Sequence, residues 1–201
     1  MLENLRKSFL AGMMISIGAA VYLSCESKVA GALFFTVGLV TICVLGLFLY
    51  TGKIGYALEN KNKPNVLLIW LGNLLGTAVC GIMMRFALPQ LHEKARPLFE
   101  NKMAQNPLAT VVLGLFCGVL MYIAVEHYKE GSGAGRFLGI ILCVPTFILC
   151  GFEHSIADMV YCTFAVDSWA DIICALIFVI IVTVGNTLGS LIFRILSREV
   201  R

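Results

Sequence analysis

The sequence predicts an all-α integral membrane protein with six transmembrane helices arranged as a three-plus-three inverted repeat, in which the second and fifth spans are broken. Three observations carry this reading. Of 201 residues, 59% are hydrophobic and only 13% charged, against about 25% charged in an ordinary soluble domain. Six apolar stretches follow one another, at about 8–24, 29–58, 65–88, 106–126, 135–163 and 170–196, and spans of about 20 residues fill the chain six times. Finally, stretches two and five are anomalously long and carry polar residues in their interiors.

Composition excludes several classes at once. With a mean hydropathy of +0.90, no aqueous surface can be covered, so soluble, disordered and nucleic-acid-binding proteins drop out. The formal charge of +3 is too small to imply a polyanion partner. The eight cysteines lie mostly inside apolar runs without a CxxC pair, and are expected to pack as small hydrophobes. The apolar segment Phe9 to Cys25 lacks a clear small-residue cleavage site and is expected to be a span rather than a signal peptide. One transmembrane domain over 1–201 is expected, with halves of about 1–100 and 101–201.

Between the stretches lie short polar connections: 25–28, 59–64, 90–106, 126–135 and 167–171. Lys and Arg set the orientation. One side collects Arg6, Lys7, Lys53, Lys61, Lys63, Lys129, Arg136, Arg194, Arg198 and Arg201, and the other Lys28, Arg85, Lys94, Arg96 and Lys102. Ten against five places both termini in the cytoplasm and the chain in the plasma membrane.

The two breaks are Tyr50-Thr-Gly-Lys53 and Gly151-Phe-Glu-His-Ser-Ile-Ala-Asp158. Irregular backbone at membrane depth persists only when buried in protein or lining an aqueous cavity. Each break falls in the middle element of a three-span half. A Gly-Asn-x-x-Gly signature recurs in each half, as Gly72-Asn-Leu-Leu-Gly76 and Gly185-Asn-Thr-Leu-Gly189. An odd number of spans per repeat gives the halves opposite topology, with the permeation site where the broken helices meet.

These residues resemble the formate/nitrite transporter family: the GFEHS run at 151–155, both GNxxG signatures, Leu49-Tyr-Thr-Gly52, and a first span opening Lys7-Ser-Phe-Leu-Ala-Gly12. The resemblance covers essentially the whole chain, which is shorter than usual members. It implies a homopentamer of aquaporin-like protomers, each with its own pore for small monovalent anions such as formate, nitrite, hydrosulfide or short carboxylates. Matching motif by motif, Phe35, Leu39 and Phe147 would form an outer apolar constriction, and Leu49, Tyr50 and Met121 an inner one. Thr51 would face His154, and Lys102 would stand near the outer vestibule. The family usually has Asn where Asp158 stands here, and often Asn where Gly118 stands.

Each residue also has a plainer reading. His154 is the only histidine in an apolar setting and is either a hydrogen-bonded core residue or a proton carrier; intramembrane ionisable groups are functional by default, and imidazole titrates near neutral pH. Protonating an anion removes most of the cost of passing a dry ring. Glu153 is expected to bond backbone N–H groups freed at the break. Asp158 is expected near His154 through helical i, i+4 spacing, where a carboxylate would favour the charged ring. Asn73 and Asn186 would either tie down loop carbonyls or face the pore, and Lys102 is either a solvated loop charge or an anion attractor. No cofactor or metal is expected, since the pair His154 and Asp158 lacks further ligands. An enzyme would need a nucleophile and base that are not seen. The alternative, an aquaporin-like pore for neutral solutes, finds no Asn-Pro-Ala box here.

Overall fold

The computed structural model describes residues 1–59 and 64–199; Lys61, Lys63 and Arg201 from the charge count lie outside them. All regular structure among the described residues is helical. In chain order the α-helices are α1 Leu2–Ser24, α2 Lys28–Val44, α3 Tyr50–Lys53, α4 Val66–Ala87, α5 Gln90–Met103, α6 Pro107–Glu130, α7 Leu138–Cys150, α8 Ser155–Ala165 and α9 Trp169–Glu199. Short 3₁₀ turns follow α3, at Ile54–Tyr56, and precede α7, at Gly133–Phe137. α1, α4, α6, α9 and the run Gly133–Cys150 are long and apolar enough to cross a bilayer. Large apolar side chains such as Leu67, Phe86, Leu108 and Leu142 point outward, as hydrocarbon surroundings allow.

Local chemistry starts the helices. Ser27, Asn65 and Asn106 cap α2, α4 and α6 by accepting from the N–H groups of Ala30, Leu68 and Leu108 at 3.3, 3.0 and 2.9 Å, and Pro107 takes the first helical position, where its missing N–H costs nothing.

The two anomalous stretches are interrupted by the same device. The chain turns at Gly46 (φ +61) after α2 and at Gly151 (φ +70) after α7, the left-handed backbone that glycine adopts without penalty; the first break thus falls at 45–49, and Tyr50-Thr-Gly-Lys53, expected as the break, is the helix α3. Leu47 N–H reaches back to Ile42 O, and Phe152 N–H to Phe147 O, both at 2.9 Å, closing the bond of a Schellman motif. Extended backbone then leads to Leu49, which precedes α3, and to His154, which precedes α8. α3 is one turn long, whereas the 11 residues of α8 span about 16 Å, half a hydrocarbon core.

Packing follows the same pattern in both halves. α1 lies on α4 and α6 on α9, at distances that only glycine allows. A methyl group on Gly76 would meet the Phe9 carbonyl oxygen, and one on Gly189 that of Leu115. Gly118 sits against the Asn186 carbonyl oxygen, so an asparagine at this position has no room in this chain.

The polar connection 90–106 holds a helix. It forms α5, whose Leu91, Ala95 and Phe99 are buried at i, i+4 and i+8, the stripe of an amphipathic helix. Ion pairs pin its polar side to the α8–α9 turn: Arg96 to Asp171 at 2.8 Å, with Arg85 of α4 to Asp167 at 2.6 Å. Asn4, Glu59 and Arg198 gather at one end of the bundle (the Glu59 face), and Lys28, Lys102 and Asp167 at the other (the Lys102 face).

Candidate functional site

Two asparagines hold the two loops in matching ways. Asn73 Oδ1 accepts from Tyr50 N–H at 2.8 Å, while its Nδ2 donates to Ser8 O and Phe48 O at 2.8 and 2.9 Å. Asn186 Oδ1 accepts from Ser155 N–H at 2.9 Å, and its Nδ2 donates to Gly114 O and Glu153 O, both at 2.8 Å. Both amides are fully buried, and each satisfies three backbone groups, those of the broken helices among them, that would otherwise be left without partners. Of the two readings open at the sequence level, the amides take the role of tying down loop backbone.

This scaffold brings Thr51 and His154 together. Thr51 Oγ1 lies 2.9 Å from His154 Nε2, and His154 Nδ1 accepts from Ala157 N–H at 3.1 Å, capping α8. A nitrogen that accepts carries no proton, so the neutral ring holds its proton on Nε2 and donates it to the threonine oxygen. The imidazole stacks on Phe147 with ring centres 5.4 Å apart, and Phe147 meets Phe35 edge to face at 6.1 Å. His154, Thr51, Phe35 and Phe147 are all buried.

One cavity borders the histidine, and a second lies beside Leu49 and Gly52. The first, about 220 Å³ towards the Lys102 face, is bordered by Tyr22, Lys102, Phe147, Glu153, His154 and Asp158 among others. The other, about 200 Å³ towards the Glu59 face, is bordered by Leu39, Leu49, Gly52, Lys53 and Lys129. Leu39, expected beside Phe35 and Phe147, thus borders the cavity on the Leu49 side. Met121 is buried in the same core. Tyr50, expected in an inner ring, is buried in the same core as Leu49 and Met121. Its hydroxyl bonds Thr187 Oγ1 at 2.8 Å, and the residue borders a groove with Trp70 and Thr183 between α4 and α9. A phenol hydroxyl in an apolar setting goes where a partner exists.

The charged residues also correct the sequence reading. Lys102 is neither a loop charge nor a free attractor: from the last turn of α5 its ammonium pairs with Glu153, and with Asp158 Oδ1 at 2.9 Å. Among the described residues Glu153 takes no backbone N–H; Gln105 Nε2 donates to it at 2.9 Å, and the freed amides of Ser155 and Ala157 go to Asn186 and His154 instead. Asp158 does lie one turn after His154, with its N–H on His154 O at 2.9 Å. Its carboxylate, however, turns to Lys102 rather than to the imidazole, because the ammonium offers a full positive charge and the neutral ring offers none. Asp158 Oδ2 is buried without a hydrogen-bond partner.

The family profile described as "Formate/nitrite transporter" matches residues 1–198. This chain belongs to the formate/nitrite transporter family. Family membership and the apolar helices together make it an integral membrane protein. It is 27% identical to the formate channel FocB of Escherichia coli (strain K12) over 180 residues, 78% of this chain and 64% of that one. It is 32% identical to the uncharacterized transporter YwcJ of Bacillus subtilis (strain 168) over 153 residues (69% and 59%). With the nitrite transporter NirC of E. coli (strain K12) it shares 26% over 160 residues (73% and 59%). The chain therefore spans less than two thirds of the length of these relatives. Its fold matches a solved FNT family ion channel with TM-score 0.88 at 22% identity, covering 99% of this chain and 90% of that one. It also matches a pentameric formate channel with formate bound, with TM-score 0.82 at 22% identity (99% and 96%).

Proposed function

We propose that this family member is a channel or proton-linked facilitator for small monovalent anions: formate, nitrite, hydrosulfide or short carboxylates. The single observation that carries this is the buried pair Thr51 and His154, with the histidine bordering a cavity on the side of Lys102. Phe35 and Phe147 form the apolar constriction on the Lys102 side of the histidine, and Leu39, Leu49 and Met121 the one on the Glu59 side. An anion entering either constriction loses hydration that apolar walls do not replace. A proton passed from the charged His154 ring to the anion leaves a neutral acid and a neutral imidazole, and the neutral acid crosses. Charging the ring places a proton on Nδ1, which is possible only when the Ala157 N–H is released, so the proton step and the start of α8 are linked.

The whole of 1–201 acts as one aquaporin-like domain in this reading. α2 with α3, and α7 with α8, are the broken second and fifth spans of an inverted six-span repeat with halves of about 1–100 and 101–201. Five protomers assemble, each with its own pore, a stoichiometry supported by the fold match to a pentameric formate channel. The Glu59 face lies in the cytoplasm and the membrane is the plasma membrane, as the distribution of Lys and Arg supports.

Uptake of formate, nitrite and hydrosulfide into proteoliposomes, with and without a pH gradient, tests the reading. Anion uptake accelerated by acid on the side of addition is expected. Rapid water or glycerol permeation with no anion uptake would overturn it in favour of a neutral-solute pore.

A further inference from the structure

Two carboxyl groups that the proton step leaves unused meet on one ammonium beside His154. Glu153 comes from the extended segment before α8 and Asp158 from the first turn of α8, and both reach Lys102 Nζ, Asp158 through Oδ1 at 2.9 Å. Sharing one nitrogen puts the two groups within a few ångströms of each other. All three side chains are sheltered: those of Glu153 and Asp158 are 3% and 2% exposed, and that of Lys102 15%. One ammonium against two carboxylates leaves one negative charge in excess.

The two carboxyls are unequally partnered. Glu153 has a donor on each oxygen, Lys102 on Oε2 and Gln105 on Oε1. Asp158 Oδ2 is buried with no hydrogen-bond partner, and so is Ser155 Oγ, three residues earlier on the same face of α8. A bare, buried carboxylate oxygen is costly, and two carboxylates on one site resist ionising together. Neighbouring groups do not supply the missing positive charge. His154 is held as the neutral ring by Ala157 N–H. Tyr22 of α1, Cys117 of α6, and Tyr161 and Cys162 of α8 lie close to the pair, and thiols and phenols are largely uncharged at neutral pH. Lys28 of α2 borders the same cavity but is exposed, and among the described residues it makes no ion pair with either carboxyl.

We propose that Glu153 and Asp158 share one exchangeable proton, and that its loss makes the Lys102-side cavity anionic and hinders anion entry from that face. The proposal rests on the anion-channel reading for its effect on transport; the shared proton does not. With the proton in place, one carboxylate and one ammonium cancel, and an anion moving towards His154 meets no net charge from the cluster. When the proton leaves to water, the cluster carries a single negative charge in a sheltered place, where salt screens it little, and an anion is repelled. Asp158 is thereby a specificity-determining residue, setting the pH range over which anions enter from one face. It acts on entry, and so on KM. The gradient effect of His154 is read at saturating formate, where entry no longer limits.

The test uses full-length protein reconstituted in one orientation, with initial formate uptake measured from each side and the same pH on both. In wild type, KM from the Lys102 face is expected to rise about three- to tenfold between mildly acid and alkaline pH. Asp158→Asn and Glu153→Gln each leave one carboxylate on one ammonium, and should hold KM from that face within about twofold over the same range. A second readout needs no transport. Infrared difference spectra of detergent-solubilised wild type should show the C=O stretch of a protonated carboxyl that vanishes in alkali and is missing from both variants. A wild-type KM level with pH, a rise that persists in both variants, or a titrating band that survives in both would overturn the proposal. The expected band without any formate transport by wild type would remove the channel reading and leave the shared proton. Transport by a wild type with no titrating band would remove the shared proton and leave the channel.

Discussion

His154 serves two structural purposes that can be separated by substitution. Its Nδ1 caps α8 through Ala157 N–H, and its Nε2 meets Thr51. Asparagine is a good N-cap and alanine is not. His154→Asn should therefore unfold within about 0.5 kcal/mol of wild type, whereas His154→Ala should lose about 1 kcal/mol; both should lose the acceleration of uptake by a pH gradient. Equal gradient dependence in wild type and His154→Asn would remove the ring from proton transfer. The loop asparagines allow a stricter test. Asn186→Asp keeps an oxygen for Ser155 N–H but has no donor for Gly114 O and Glu153 O. Buried groups left unpaired cost about 1–3 kcal/mol each, so this near-isosteric change should destabilise the protein by about 2 kcal/mol or more in detergent unfolding. A variant as stable as wild type would mean that the two carbonyls find other donors.

Among the helices, α5 shows why a stretch that reads as polar punctuation becomes an ordered element. Its apolar residues are few but fall on one face, and its charges meet a fixed set of partners on the α8–α9 turn. Asp167 receives Arg85 at 2.6 Å, and this hydrogen bond holds its carboxyl below the usual aspartate range, near 3.9. A depressed carboxylate adds stability that is present above its unfolded value and lost as pH falls through its folded value. Asp167→Asn should accordingly be less stable than wild type at neutral pH, with the gap closing as pH falls below about 4. Thermal unfolding of the two proteins between neutral and acid pH checks this; a gap that persists undiminished in acid would show that charge is not its source. Close packing of α4 and α9 was legible in outline, because GNxxG marks small residues at one helical spacing, but not that their partners are α1 and α6. That Gly118 belongs to the same contact was not, since a lone glycine in an apolar run has no signature until its neighbour's carbonyl is located.

In the proposed pore, the constrictions and the mouths act in series. Phe147 stands between Phe35 and the imidazole, so Phe147→Ala should widen the Lys102-side constriction and raise uptake of larger carboxylates several-fold relative to formate. Unaltered size selection in a correctly assembled variant would take Phe147 out of the constriction. Asp158 governs the charge of the same mouth. Asp158→Asn leaves Lys102 with Glu153 as its one carboxylate, and at alkaline pH should lower KM for formate taken up from the Lys102 face while leaving uptake from the Glu59 face unchanged. A KM that rises or stays the same from the Lys102 face would show that Asp158 does not screen the lysine.

Residue order alone established that the chain is made of apolar helices, that its second and fifth apolar stretches are too long and too polar inside to be plain spans, and which family the chain resembles. Each of these follows from local information: hydropathy over a span's length, polar residues inside two long apolar runs, and motifs of a few adjacent residues; that the first interruption falls at 45–49, ahead of Tyr50, was decided by the fold. Residue order also marked Thr51 and His154 as partners, through the resemblance rather than through spacing. Where the charges go was settled by packing in three dimensions. Lys102, Glu153 and Asp158 come from α5, a loop and α8, and whether an ammonium stands free or neutralised depends on which carboxylates the packing brings within about 4 Å of it. The same holds for Tyr50, whose hydroxyl turned to Thr187 of α9. Periodicity reports which face of a helix is buried, but electrostatic interaction depends on separation in space, which a linear order of residues does not contain.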